Sequence, residues 1–201
     1  MNKYRQLPYK QRGFTFIELV IVIILLGLLA AAALPRYLDV VDDAENASLE
    51  AVAGAFSTAV NIARAQWFAD GFSRGQPTTP NDKIAINLDG RIIYMTENGW
   101  PANTDPASDA SEDSQSAAEC LQVWTSVMQT VPSATTDSND RENARYYIEV
   151  LDQQGGDDTG NTSDMCRYEL ILNSAAGATA THYFDYDLTD GEVIVTKPNQ
   201  N

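Results

Sequence analysis

From Leu19 to Leu34 this chain carries no charged or polar side chain. Counted from Phe14, the apolar stretch covers 21 residues and is interrupted by Thr15, Glu18 and Gly27. About 20 such residues are what a helix needs to cross the ~30 Å hydrocarbon core of a bilayer. An ionised acid within that core costs about 2.5–3.5 kcal/mol even on lenient insertion scales, which makes Glu18 a candidate functional residue.

Charge sets the expected orientation. The first 13 residues hold Lys3, Arg5, Lys10 and Arg12 and no acid, so the N-terminus is expected in the cytoplasm, with everything after Leu34 outside. The whole chain carries −15; losing those four cations would leave nine basic residues against 28 acidic ones, about −19. Such a surface disfavours nucleic acid and anionic lipid as partners. A basic start, an apolar core and Ala31-Ala32-Ala33 also sketch a secretory signal peptide releasing a soluble protein that begins near Leu34. Glu18 inside the core and an apolar run longer than the 7–15 residues of a signal count against it.

Lys10-Gln11-Arg12-Gly13 followed by Phe14-Thr15-Phe16-Ile17-Glu18 resembles the processing signal of type IV prepilins, a basic leader ending in Gly ahead of Phe-Thr-x-Ile-Glu and a long apolar segment. The resemblance implies cleavage by a prepilin peptidase between Gly13 and Phe14, N-methylation of the new Phe14 amine, and a role for Glu18 in assembly. It also implies an inner-membrane protein before assembly, served by an assembly ATPase and an inner-membrane platform, and contact with further copies in an extracellular filament used for adhesion. The stretch matching Gly27 to Pro35 loses helical structure in some filaments of the family; a simple kink is the other reading, since Pro35 lacks an amide hydrogen and Gly27 is a poor helix former. The pair Cys120 and Cys166 and the closing segment Cys166–Thr196 resemble the mannose-sensitive haemagglutinin (MSHA) type. A minor pilin or a type II secretion pseudopilin shares the whole N-terminal pattern and is the alternative.

The remaining chain is long enough for one long helix and a single domain. Leu49, Val52, Phe56, Val60, Ala63 and Trp67 recur at steps of three and four, predicting an amphipathic continuation of the apolar helix to about Phe68. The expected organisation is a leader at 1–13, a membrane and filament-core helix at 14–34, an amphipathic helix at 35–69 and an α+β head at 70–201. In that head, Asp89-Gly90 between two apolar runs predicts a hairpin, Ala117–Met128 a short helix ended by Pro132, and four later runs an antiparallel sheet laid on the helix stripe. Asn103 to Ser116 reads as a surface loop. Cys120 and Cys166, the only cysteines, are expected to oxidise on the outer side of the membrane.

Chemistry is sparse. His182 is the only histidine and reads as a strand residue, no metal or cofactor site is expected, and the chain is not expected to be an enzyme. Asp157–Asp164 offers oxygen ligands without the spacing of an EF-hand. Asn46 and Asn161 begin glycosylation-like triplets of low specificity.

Overall fold

The computed structural model describes residues 13–156, 162–172, 175 and 177–198. Helix α1, Phe16–Ala69, belongs to two compact units, residues 1–45 and 46–201, which are taken in turn.

In the first unit the described residues are helical from Phe16 onward, as a run of Leu, Ile, Val and Ala dictates once water is excluded and every backbone amide must be satisfied within the segment. Phe16–Leu34 is long and apolar enough to cross a membrane, and none of it is buried. Gly27 and Pro35 both lie within the assigned helix.

The second unit is built on the rest of α1. Leu49, Ala53, Phe56, Val60, Ala63 and Trp67 are all at most 1% exposed, so the stripe is the floor of the core. Val52 is only partly buried, and Ala53 takes the central place in that turn. Two sheets form, where one was expected. The first is β1 (Ala85–Leu88), β2 (Arg91–Met95) and β3 (Pro101–Asn103), antiparallel in that order. Leu88 pairs with Arg91 across a two-residue turn, and Asp89 and Gly90 both have positive φ, 52° and 83°, the geometry that matches strand twist.

Helix α2, Ala117–Val127, starts at a capping box: Ser116 Oγ accepts from Glu119 N, and Glu119 Oε2 accepts from Ser116 N. The second sheet runs β4 (Ala134–Thr135), β5 (Tyr146–Gly156), β6 (Thr162–Leu170), β7 (Tyr183–Asp187) and β8 (Val193–Thr196) in spatial order. All its neighbours are antiparallel except β4, which lies parallel to β5. Phe56 sits at the centre, its ring 5.0 Å from Tyr168, 5.5 Å from Phe184 and 5.4 Å from Tyr186. Trp124 closes the cluster from α2, 5.1 Å from Tyr168 and 4.9 Å from Tyr146.

Two readings are corrected. The stretch after Asn103 is not a free surface loop: Ala110 is fully buried, Asn103 Nδ2 donates to Asp109 O, and Lys83 Nζ donates to the carbonyls of Asp105 and Ser108. Buried lysine and asparagine donors need acceptors, and this loop supplies them. His182 lies at a bend just before β7, with only 8% of its surface exposed. Its carbonyl still accepts from Leu170 N, continuing the ladder by one bond. The four runs expected to form an antiparallel sheet do so as β5 to β8, and the chain returning from α2 adds the short strand β4 in parallel at the edge.

Candidate assembly and processing site

The expected site residues fall in three places. Gly13, Phe14 and Glu18 are gathered at the start of α1, Gly27 and Pro35 lie farther along it, and Cys120 and Cys166 are in the second unit. The leader cations lie outside the described residues.

Phe14 is 77% exposed, and among the described residues nothing lies within 4 Å of where a Gly13 Cβ would stand, so no contact among them demands glycine there. Glu18 does have an internal role. Thr15 immediately precedes the helix and Glu18 is its third residue, the spacing of a capping box. Glu18 Oε2 accepts from Thr15 N at 2.9 Å and from Thr15 Oγ1 at 2.7 Å, while Glu18 N donates to Thr15 Oγ1 at 3.3 Å. The first backbone amides of a helix have no partner within it, and in lipid each would be costly. The carboxylate therefore supplies an acceptor where the helix lacks one, and it is held one residue from Phe14. Thr15 is the residue sequence reasoning missed. Its signal was the Thr-x-x-Glu spacing, which recurs as Ser116-x-x-Glu119 at α2.

Cys120 and Cys166 form a disulfide with Cα atoms 5.5 Å apart, tying α2 to β6. Both are fully buried, and Tyr168, two residues beyond Cys166, donates its hydroxyl to Cys120 O at 3.0 Å.

Other candidates for chemistry are occupied structurally. His182 Nδ1 lies 2.9 Å from Thr181 Oγ1. Among the described residues, no three His, Cys, Asp or Glu side chains come close enough to hold a metal ion. Of the acidic run, residues 157–161 lie outside the described residues. Asp164 is spent on the backbone: it accepts from Gln153 N and Gln115 N, each at 2.9 Å, and so joins β5 to the approach of α2. Asn46 is only 6% exposed on α1, poorly placed for a glycan, and Asn161 lies outside the described residues.

Residues 8–34 match the family model described as the prokaryotic N-terminal methylation motif. The chain is 40% identical over 81 residues to the major component of the type IV narrow pilus, PilA5, of Thermus thermophilus, covering 40% of this chain and 63% of that protein. It is 37% identical over 94 residues to the type IV major fimbrial protein FimA of Dichelobacter nodosus, 45% of this chain and 55% of that one. It is 31% identical over 119 residues to the type IV major pilin protein PilE1 of Neisseria gonorrhoeae, 57% and 62% respectively. These alignments span between about half and just under two thirds of the relatives' own lengths. No solved structure matches the chain. The methylation motif is thus shared with the family model, and the relatives that the chain is similar to are type IV pilus and fimbrial subunits, with nothing in the comparisons that singles out the MSHA type.

Proposed function

We propose that this chain is a structural subunit of a type IV pilus, cut between Gly13 and Phe14, methylated on the Phe14 amine, held in the inner membrane by Phe16–Leu34 and then packed with other copies into a surface filament. The observation that carries the reading is a single carboxylate, Glu18, held at the mouth of an apolar helix that nothing among the described residues buries. Cleavage would place a cationic amine at Phe14, and opposite charges about 4 Å apart attract by roughly 4 kcal/mol at an effective dielectric of about 20. That is comparable to the cost of burying the acid, so an amine in register compensates Glu18 and a misplaced one leaves it unpaired.

In this reading the peptidase, the methyltransferase, the assembly ATPase and the membrane platform are separate proteins, and this subunit is structural rather than enzymatic. The Cys120–Cys166 pair and the segment closing at Thr196 support an MSHA-like subunit used in attachment, and the region from Gly27 to Pro35 is where the helix would open on packing. A major subunit, as opposed to a minor pilin or a pseudopilin, is expected to dominate filaments sheared from cells. The test is deletion of the coding sequence followed by shearing. Loss of the main filament protein supports the proposal, and unchanged filaments lacking this chain in the parent strain overturn it.

A further inference from the structure

The first charged residue after Glu18 is Arg36, and Tyr37 follows it directly. Both lie on the helical stretch of the first unit, just past the span Phe16–Leu34. Arg36 is exposed and makes no ion pair among the described residues. Tyr37 is 66% exposed. The acids of this half of α1, Asp39, Asp42, Asp43 and Glu45, all come later, so every one of them stands on the far side of Arg36 from the span.

Length places these residues against a bilayer. The span has 19 residues, which at 1.5 Å each cover about 28 Å, close to the ~30 Å of a hydrocarbon core. A headgroup layer about 5–8 Å thick lies beyond that core on each side. With the span filling the core, Arg36 and Tyr37 fall about 3–5 Å past its edge, and Asp42 and Asp43 about 12–14 Å past it. The cation and the tyrosine thus stand at the depth of the headgroups, and the acid pair beyond them in water. Arginine near the end of a span reaches outward to that layer, and tyrosine, apolar in its ring and polar at its tip, is enriched there.

We propose that Arg36 and Tyr37 form a lipid anchor, in which the Arg36 guanidinium binds the phosphates of the leaflet at the outer end of the span and the Tyr37 ring lies beside it among the headgroups. The occupant is phospholipid for two reasons. The anchor is continuous with a segment that lipid surrounds in the reading above, and guanidinium and phosphate match in charge and in fork geometry. The chain as a whole is acidic, so the pair recruits no membrane from solution; it acts on a leaflet that the span has already entered. Holding this end at phosphate depth fixes how deep Gly13 and Phe14 lie at the other. The inference rests on the membrane step of the function proposed above and names the residues that set its depth.

The full chain is reconstituted into vesicles of phosphatidylethanolamine and phosphatidylglycerol, and a membrane-impermeant polyethylene glycol maleimide is added without reductant. The native cysteines are joined and buried, so only an introduced thiol reacts. Ile24→Cys, Leu34→Cys and Asp42→Cys report on the middle of the span, its outer end and the water beyond; all three positions are exposed, so none of the changes enters the core. With the Asp42→Cys rate as reference, Leu34→Cys is expected to label several-fold faster once Arg36→Glu is added, because phosphate then repels what it had held. In vesicles of digalactosyl diacylglycerol, which has no phosphate, Arg36→Glu is expected to leave the Leu34→Cys rate unchanged. Equal rates with and without Arg36→Glu in phospholipid, or the same difference in both lipids, would overturn the anchor and leave the span standing. Labelling of Ile24→Cys as fast as Asp42→Cys would overturn the span and the anchor together.

Discussion

A carboxylate in an apolar helix has one local use here and one proposed use in the filament, and a single substitution removes both. Glu18 caps Thr15 within its own chain and, in the proposed filament, meets a Phe14 amine. Glu18→Ala removes both. It is expected still to insert and still to be cut, because the apolar run and Gly13 are untouched, yet to be scarce in sheared filaments. Immunoblots of membrane and filament fractions check this, and normal filament amounts would reject the charge-pair account. Two tyrosines make a contrasting pair. Tyr168 donates to Cys120 O, whereas the buried Tyr146 hydroxyl has no hydrogen-bond partner among the described residues, and burial pushes it up to about 12. Tyr168→Phe should lower stability by about 1 kcal/mol, and Tyr146→Phe should leave it level or raise it, because an orphaned polar group is removed. Denaturant melts of the head distinguish them. Glu112 adds a pH dependence. Desolvation raises its carboxyl above the usual range, against the opposing bond from Asn98 Nδ2. The folded chain thus holds this proton to higher pH than the unfolded chain, and the associated stability is lost as pH rises through the folded value. Glu112→Gln is expected to be more stable than the parent near about pH 7, with the difference vanishing below about pH 4. An equal difference at both pH values would show that the carboxyl's ionisation is not the cause.

At the scale of elements, local chemistry made some pieces readable and tertiary contact decided others. The long helix, the Asp89-Gly90 hairpin, α2 and the cores of β5 to β8 were legible because period and turn residues agree with what the fold requires. β3 and β4 were not, since strands of three and two residues carry no usable period and exist only through their partners. The same applies to the loop from Asn103 to Asp109, whose polar sequence conceals the buried Lys83 that it must satisfy. Thr15 and Glu18 have capping-box spacing in the sequence, but the local bond competes there with the acid's cost in a membrane, and only the folded geometry shows it formed. The turn between β7 and β8 gives a sharper element-level test. Gly191 has φ of 75°, and a Cβ there would lie 2.3 Å from the Trp100 ring. Gly191→Ala should therefore destabilise the head by roughly 2 kcal/mol or more, from backbone strain and overpacking together. The disulfide closes a separation of 46 residues, for which the chain-entropy model gives about 4 kcal/mol. Cys120→Ser with Cys166→Ser should lower the thermal midpoint of the isolated full chain accordingly, measured under non-reducing conditions, and an unchanged midpoint would refute a stabilising role.

For the whole molecule, one chain divides its apolar surface between two destinations. The head buries its stripe, its aromatic cluster and its disulfide in its own core, while Phe16–Leu34 keeps its surface uncovered. Lipid and then other copies are the cover proposed for it, with the proposed cut after Gly13 as the start of the switch between them. The direct measurement is intact-mass and N-terminal peptide spectrometry of the protein recovered from sheared filaments. The account predicts a chain that begins at Phe14, carries one methyl group on its amine and keeps Cys120 joined to Cys166. A chain beginning near Leu34, or an uncut leader on filament-borne protein, would contradict it.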